Sequence, residues 1–185
     1  MIRDATVDDL AALEALMRDT NMFSEDERAA FGKELQTLLW AAPDPAERRR
    51  LIIVGATADG AIGGAAYFGP EAMADDVANL FFIGVSPSRR RQGAAKALID
   101  RFETHGRETG ARIALIETAS AAMFEPARRL YRRCGYTEEA QIRDYYADGL
   151  DKLIYRKRLR AAMLAFSFAR LQRGAPASSP RSSDR

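Results

Sequence analysis

The sequence predicts an α/β domain, a mixed central β-sheet flanked by helices, and three observations carry that expectation. The apolar run 80–85 does not alternate, as in a strand buried on both faces, and 113–118 is a second apolar strand-like run. Between them, from Gly93 to about Glu108, Leu98, Phe102 and His105 recur at helical spacing. Strand, crossover helix and strand within about forty residues imply a parallel pair with a right-handed connection. Finally, strand-like runs flank Asp59-Gly60 and Asp148-Gly149, dipeptides that favour tight hairpin turns between antiparallel strands.

The other elements follow from caps and breakers. Residues 2–6 read as a short strand. Thr6-Val7-Asp8-Asp9 then supplies a helix start before Leu10, Leu13, Leu16 and Met17. Ser24-Glu25-Asp26-Glu27 is a capping-box sequence, with acids suited to the positive end of a helix that carries Phe31, Leu35, Leu38 and Leu39 and stops at Pro43 and Pro45. Runs 51–57 and 61–68 form the first expected hairpin. Gly110 breaks the central helix, and Pro126 suits the first turn of the next one, which places Ala127, Leu130, Tyr131 and Cys134 on one face before Gly135. Segments 137–146 and 151–159 form the closing hairpin, so the expected order is β-α-α-β-β-β-α-β-α-β-β. Residues 160–173 read as a short apolar helix, and 174–185, rich in Pro and Ser, as a disordered tail.

Composition narrows the function classes. Among 185 residues, 24 Arg and 4 Lys face 26 acids, and the formal net charge of +2 argues against a nucleic-acid surface. Arg48-Arg49-Arg50 is read as a solvated loop. The single cysteine, Cys134, excludes an intrachain disulfide and a cysteine-based metal site, and a lone His105 cannot build a metal site either. The N-terminus lacks a signal-peptide pattern and no stretch reaches the ~18 apolar residues of a membrane span, so the expected location is cytoplasmic. Cys134, on an apolar helix face, is expected to be a buried structural thiol rather than a nucleophile.

The segment Val85-Ser86-Pro87-Ser88-Arg89-Arg90-Arg91-Gln92-Gly93-Ala94-Ala95 joins a buried strand to a helix. Successive N–H groups at a helix start, with the positive end of its dipole, form a cradle for a pyrophosphate. Gly93 lets backbone approach phosphate, Ala94 and Ala95 keep the first turn clear, and arginines grip phosphate oxygens in bidentate fashion. Arg90-x-x-Gly93-x-Ala95, with Val85-x-Pro87 before it, resembles the Arg/Gln-x-x-Gly-x-Gly/Ala signature of the GNAT acetyltransferases. The resemblance covers roughly residues 1–159 and implies the acyl-CoA N-acyltransferase fold, with acetyl-CoA as cosubstrate and no metal. It implies that the backbone of Ile83, Gly84 and Val85 holds pantetheine, and that Arg90, Arg91, Gln92, Gly93, Ala94 and Ala95 hold the pyrophosphate. Ala95 departs from the commoner glycine.

A second segment, Ala127-x-x-Leu130-Tyr131-x-x-Cys134-Gly135-Tyr136, is similar to the family's Ala-x-x-Leu-Tyr-x-x-x-Gly-Phe/Tyr pattern. The resemblance places Tyr131 beside the thioester sulfur, where a phenol of pKa near ~10 can donate to the departing thiolate. Phe124 stands where many relatives have asparagine, so a side-chain hydrogen bond to CoA there is not carried over. The stretch Ile142-Arg143-Asp144-Tyr145-Tyr146, continuing to Leu153, resembles family members acting on amines, which makes Tyr145 and Tyr146 acceptor-pocket candidates; the other reading is packing at a strand end. Glu117 is the candidate general base, because it shares a strand face with Ile113 and Leu115 toward the carboxyl end of a parallel strand. A solvated glutamate, with water as proton carrier, is the alternative. The acids Glu71, Asp75 and Asp76 are a candidate source of negative field at the acceptor entrance.

The resulting expectation is an N-acetyltransferase acting on a primary amine of a small molecule, by direct transfer in a ternary complex. Alternatives are a protein or peptide N-acetyltransferase and a non-catalytic acyl-CoA-binding regulator. A homodimer to which the 160–173 segment contributes is expected, with neither nucleic acid nor membrane as partner.

Overall fold

The computed structural model describes residues 1–40, 50–56 and 62–160, with the backbone alone for 50–56. The expected segments 160–173 and 174–185, the Asp59-Gly60 turn, Pro43, Pro45, Arg48 and Arg49 lie outside the described residues, apart from Arg160. Chain order is β1 (Ile2–Asp4), α1 (Leu10–Thr20), α2 (Glu25–Trp40), β2 (Arg50–Ala56), β3 (Ile62–Pro70), β4 (Val77–Val85), α3 (Ala94–Glu108), β5 (Ile113–Ala119), α4 (Glu125–Arg133), β6 (Thr137–Ala147) and β7 (Leu150–Arg158). The seven strands form one mixed sheet in the order β1-β2-β3-β4-β5-β7-β6. Among the described residues β4 and β5 are its parallel pair.

The caps act as their sequences require. Ser24 N–H donates to Glu27 at 2.7 Å and Glu27 N–H to Ser24 Oγ at 3.2 Å, a reciprocal capping box at the start of α2. Before α1, Asp9 accepts from Thr6 N–H at 2.8 Å and receives both Nη atoms of Arg3, at 2.7 and 2.8 Å. That fork ties β1 to the helix start and, with burial opposing it, holds the Asp9 carboxyl below its ordinary range. β1 is shorter than the expected 2–6 because residues 7–9 coil into a 3-10 turn before α1.

Two apolar layers cover the sheet. Leu98, Ile99 and Phe102 of α3 and Tyr131 of α4 pack on Ala66, Phe68, Leu80, Ala114, Ile116 and Tyr155. On the opposite face, Leu13, Leu16 and Met17 of α1 and Leu35 of α2 pack on Ala65, Tyr67 and Phe82. Burial of these side chains, at about 25 cal/mol per Å² of apolar surface, is the main force holding the helices to the sheet.

The sheet departs from regularity at two places on β4. Tyr67 pairs with Phe82 but Phe68 pairs with Leu80, so Phe81 is the extra residue of a β-bulge. The sequence pattern of 80–85 predicts burial on both faces; instead Phe81 is 42% exposed, because the bulge turns it outward. In addition, β4 and β5 pair only from Val77↔Ile113 to Leu80↔Ile116, although both strands continue. Beyond that point they diverge. The bulge supplies the bend, and a wedge opens at the carboxyl ends of the parallel strands, where ligand crevices of such sheets lie.

Candidate active site

Among the described residues, the edge of β4 facing β5 has no strand partner along residues 81–85, while β3 holds its other edge through Gly64↔Val85, Ala65↔Gly84 and Ala66↔Ile83. Ile83, Gly84 and Val85 therefore offer backbone groups into the wedge. A Cβ at Gly84 would lie 2.6 Å from the Phe82 ring, so the buried ring would have to shift to admit one.

From Val85 the chain passes through a 3-10 turn at Pro87–Arg89 into the start of α3, anchored by Ser86 N–H on the Gly63 carbonyl at 3.0 Å. Arg91 and Gly93 have φ of +62° and +83°, and Gly93 is the N-cap of α3. This pair of left-handed residues curls the chain so that the first N–H groups of α3 point out of the helix end. Nothing lies within 4 Å of the position a Gly93 Cβ would take, so backbone is open to a ligand there. Arg90, Arg91 and Gln92 are exposed, Ala94 and Ala95 half-buried. Gln92 Nε2 donates to the Ser88 carbonyl at 3.1 Å, which braces the loop from within. The residues fit a pyrophosphate group: open backbone, a helix N-terminus and exposed guanidinium groups.

Tyr131 is buried in the layer that includes Ile83 and Val85 at its margin. Its ring meets Tyr155 edge-on, with centroids 5.6 Å apart. Among the described residues its hydroxyl makes no hydrogen bond. Burial first, and then the neighbouring Tyr155, pushes the Tyr131 phenol well above the ordinary 10.0. Tyr155 itself donates to Glu138 at 2.6 Å and accepts from Arg132 at 3.0 Å; burial and the Glu138 bond push it up to about 12. Arg128, which no sequence motif singled out, is buried, and its Nη1 donates to the carbonyls of Ala119 at 2.7 Å and Ala121 at 2.9 Å. It fastens α4, and with it Tyr131, to the end of β5.

Glu117 lies on the face of β5 that it shares with Ile113 and Leu115, which is the less buried one; Ala114, Ile116 and Thr118 are buried on the other. It pairs with Lys152 of β7, Oε2 to Nζ 2.5 Å. Lys152 also lies under the Tyr145 ring, 4.6 Å from its centroid, and Tyr145 meets Tyr146 edge-on at 4.9 Å. Glu117, Tyr145 and Tyr146 are thus gathered around one cation that periodicity alone could not have selected.

The acids Glu71, Asp75 and Asp76 precede β4 at the amino end of the parallel pair, opposite the wedge. Glu71 accepts from Asn79 at 2.6 Å, and the Asp75 and Asp76 carbonyls accept from Arg112. They brace the sheet rather than border the opening. His105 is buried with its ring 5.3 Å from Phe68, and burial first, then the charges of Asp100 and Glu103, pushes the Cys134 thiol up. Among the described residues no group of three metal-ligating side chains occurs, and no helix is long and apolar enough to cross a membrane.

The α1–α2 face holds a feature that no sequence motif indicated. An open pocket of about 490 Å³ lies between α2 and the bulge, walled by Phe23, Phe31, Tyr67 and Phe81, with Glu27 and Glu34 at its margin.

A mixed sheet with flanking helices, whose parallel strands part beside the N-terminus of α3, defines the class: an acyl-CoA N-acyltransferase fold. The model of the acetyltransferase (GNAT) family matches residues 13–136, and the chain belongs to that family of N-acetyltransferases. No curated protein sequence gives a significant match. Among solved structures, a GNAT-family protein from Desulfovibrio desulfuricans is 26% identical, with a TM-score of 0.77 over 86% of this chain and 99% of its own. The ribosomal-protein-S18-alanine N-acetyltransferase of Escherichia coli is 21% identical, with a TM-score of 0.68 over 90% and 99% of the two chains. An aminoglycoside 6'-N-acetyltransferase complexed with coenzyme A is 13% identical, with a TM-score of 0.65 over 87% and 98%.

Proposed function

We propose that this enzyme transfers the acetyl group of acetyl-CoA directly to the primary amine of a small molecule, both substrates being bound together. The observation that carries the reading is the wedge beyond Leu80 and Ile116, with the Gly93 cradle following one strand and the Glu117–Lys152 pair beside the other. In this reading the wedge edge of Ile83, Gly84 and Val85 takes the pantetheine arm as an added strand would, and residues 90–95 take the pyrophosphate. A backbone N–H at Val85 steadies the oxyanion as the amine attacks the thioester carbonyl.

Tyr131 faces the departing sulfur. A thiolate whose thiol has a pKa near ~8.5 is a weak base toward a phenol held above 10.0, so Tyr131 acts chiefly by donating a hydrogen bond to the developing charge. Its proton is always in place, because burial keeps the phenol neutral. Glu117, oriented by Lys152, receives the proton shed by the amine, directly or through water. Tyr145 and Tyr146 border the acceptor. No metal enters these steps, so turnover should be unchanged by EDTA.

The E. coli relative is named for a protein substrate and the aminoglycoside relative for a small molecule, so one panel tests the choice. CoA release, followed with a thiol reagent, should be stimulated by small primary amines and not by peptides with a free N-terminal alanine. The reverse preference would replace this reading with the peptide one. Residues 1–159 form the catalytic unit in this reading, and the enzyme is a homodimer to which residues 160–173 contribute. Light scattering on the full chain and on one ending at Leu159 should give a dimer and a monomer respectively.

A further inference from the structure

Arg128 is a buried cation whose partners mark one wall of the wedge. It is 7% exposed and stands one turn before Tyr131 on the same face of α4. Its Nη1 donates to the Ala119 carbonyl at 2.7 Å and to the Ala121 carbonyl at 2.9 Å, while Nε and Nη2 meet Glu125 Oε2 at 3.0 and 2.9 Å. In an antiparallel ladder, alternate residues turn their backbone groups to opposite edges of the strand. The series that includes Arg112 and Ser120 faces β7: the Arg112 carbonyl accepts from Leu159 N–H at 3.0 Å, and Ser120 N–H donates to the Asp151 carbonyl at 2.9 Å. Ala119 therefore presents its carbonyl to the other edge of β5, the edge from which β4 diverges beyond Ile116. Arg128 takes the place of a strand there. Ser120 Oγ also accepts from Asp151 N–H at 2.9 Å, so the turn 119–121 is held by β7 on one side and by α4 on the other.

We propose that Arg128 is a positioning residue for acetyl transfer: by occupying the edge of β5 that β4 has left, it holds that wall of the wedge and fixes the Tyr131 hydroxyl relative to it. The inference rests on the acetyl-transfer reading above and concerns the same site. Tyr131 depends on such an anchor, because among the described residues its hydroxyl makes no hydrogen bond and its ring is packed on Tyr155. A guanidinium suits the task, since its planar fork serves two carbonyls with one nitrogen and a carboxylate with the others. Glu125 balances the charge, as a buried cation requires. The role is geometric, and ~1 Å of misplacement at reacting atoms can cost ~10²-fold in rate.

The experiment uses the full chain with Arg128→Gln and Arg128→Lys, each alone and combined with Tyr131→Phe. Arg128→Lys keeps a charged donor for the two carbonyls and serves where Arg128→Gln does not fold. CoA release is followed with glucosamine, 2-phenylethylamine and alanine amide as acceptors. Arg128→Gln should lower kcat ~10–10²-fold and Arg128→Lys ~3-fold, with the amine KM within ~3-fold of the wild type. In the Tyr131→Phe background both losses should shrink below ~2-fold, since no hydroxyl is left to position. Equal losses in the two backgrounds would mean that Arg128 acts on the structure at large and would overturn the proposal, as would wild-type kcat in both Arg128 variants. A second readout needs no turnover. With ring-labelled tyrosine, the NMR line of Tyr131, assigned by its loss in Tyr131→Phe, should be single in the wild type and broadened or split in Arg128→Gln, with Arg128→Lys between. If the wild type releases CoA with none of the amines, the transfer reading falls. The Tyr131 line then decides the positioning alone, and an unchanged line in both Arg128 variants overturns it.

Discussion

The Lys152 ammonium lies 2.5 Å from a Glu117 carboxylate oxygen, across the adjacent strands β5 and β7, and 4.6 Å from the centre of the Tyr145 ring. Lys152 has a side-chain exposure of 13%, so each charge is strongly dependent on the other. Burial acts to lower the Lys152 pKa, the Glu117 hydrogen bond and charge raise it, and the net value lies above the ordinary 10.5. A raised folded value means that the pair's stabilisation is complete below the unfolded pKa of about 10.4 and is lost as pH rises through the folded one. Alkaline melting curves of the wild type should therefore fall above pH ~10.4, with a smaller alkaline fall in Glu117→Gln. The same variant should lose roughly 10–10²-fold in kcat with the acetyl-CoA KM near normal, as expected for a group that moves a proton or orients the acceptor. Wild-type kcat in a folded Glu117→Gln enzyme would assign the proton to water alone.

Tyr131→Phe should separate chemistry from structure with unusual cleanness. The hydroxyl makes no hydrogen bond within the described protein while the ring is packed on Tyr155, so its removal should change stability by less than about 1 kcal/mol. If that hydroxyl meets the departing sulfur, kcat falls roughly 10²–10³-fold with acetyl-CoA binding retained. Thermal melts and single-turnover acetyl transfer on the same preparation decide it; an unchanged rate of the chemical step would leave Tyr131 a packing residue.

The candidate site could be drawn from the sequence because its members lie on continuous local patterns. The Gly93 cradle is a strand-turn-helix junction whose turn residues announce themselves, and Tyr131 sits on a helix face set by Ala127, Leu130 and Cys134. Glu117 followed from simple alternation along β5. What stayed hidden is tertiary. Phe81 reads as one more apolar residue of a buried strand, and only its register against Tyr67 and Phe68 reveals the bulge. Phe23 comes from the α1–α2 connection, Phe31 from α2 and Tyr67 from β3, so no window of sequence contains the pocket. Nothing in the sequence pattern singles out Lys152 or Arg128 as a buried charge, because their partners, Glu117 on a neighbouring strand and the carbonyls at the end of β5, are supplied by strand pairing and helix docking.

Gly93→Val should fail in two separable ways. At φ +83° any side chain is strained, so the variant should lose about 1 kcal/mol or more of stability. Open space surrounds the new Cβ, so the fold itself is not obstructed. The branched carbon would stand where backbone meets phosphate and should raise the acetyl-CoA Kd more than ~10-fold. Gly93→Ala, strained but without the branched Cβ, should fall between. Titration of CoA into each variant by calorimetry checks the order, and matched CoA affinities across the series would place the pyrophosphate elsewhere.

Glu103 of α3 carries a charge with no place in the proposed chemistry. Its side-chain exposure is only 5%, yet Lys157 Nζ meets its two oxygens at 2.6 and 2.7 Å and Arg107 reaches it at 2.8 Å. Lys157 also donates to the Cys134 carbonyl at 2.7 Å, closing the end of α4, and lies 5.5 Å from the Tyr136 ring centre. One ammonium thus joins α3, the α4 terminus and β7. Removing it strands a buried carboxylate with a single, half-exposed guanidinium partner, and Lys157→Met should cost about 3 kcal/mol. The double variant Glu103→Met/Lys157→Met removes both charges together and should recover much of that loss, since an apolar pair of similar volume avoids the desolvation penalty. Urea unfolding of the wild type, both single variants and the double gives the coupling directly. A double variant as unstable as the sum of the singles would mean that the pair's attraction is negligible and that Lys157 acts through its Cys134 bond alone.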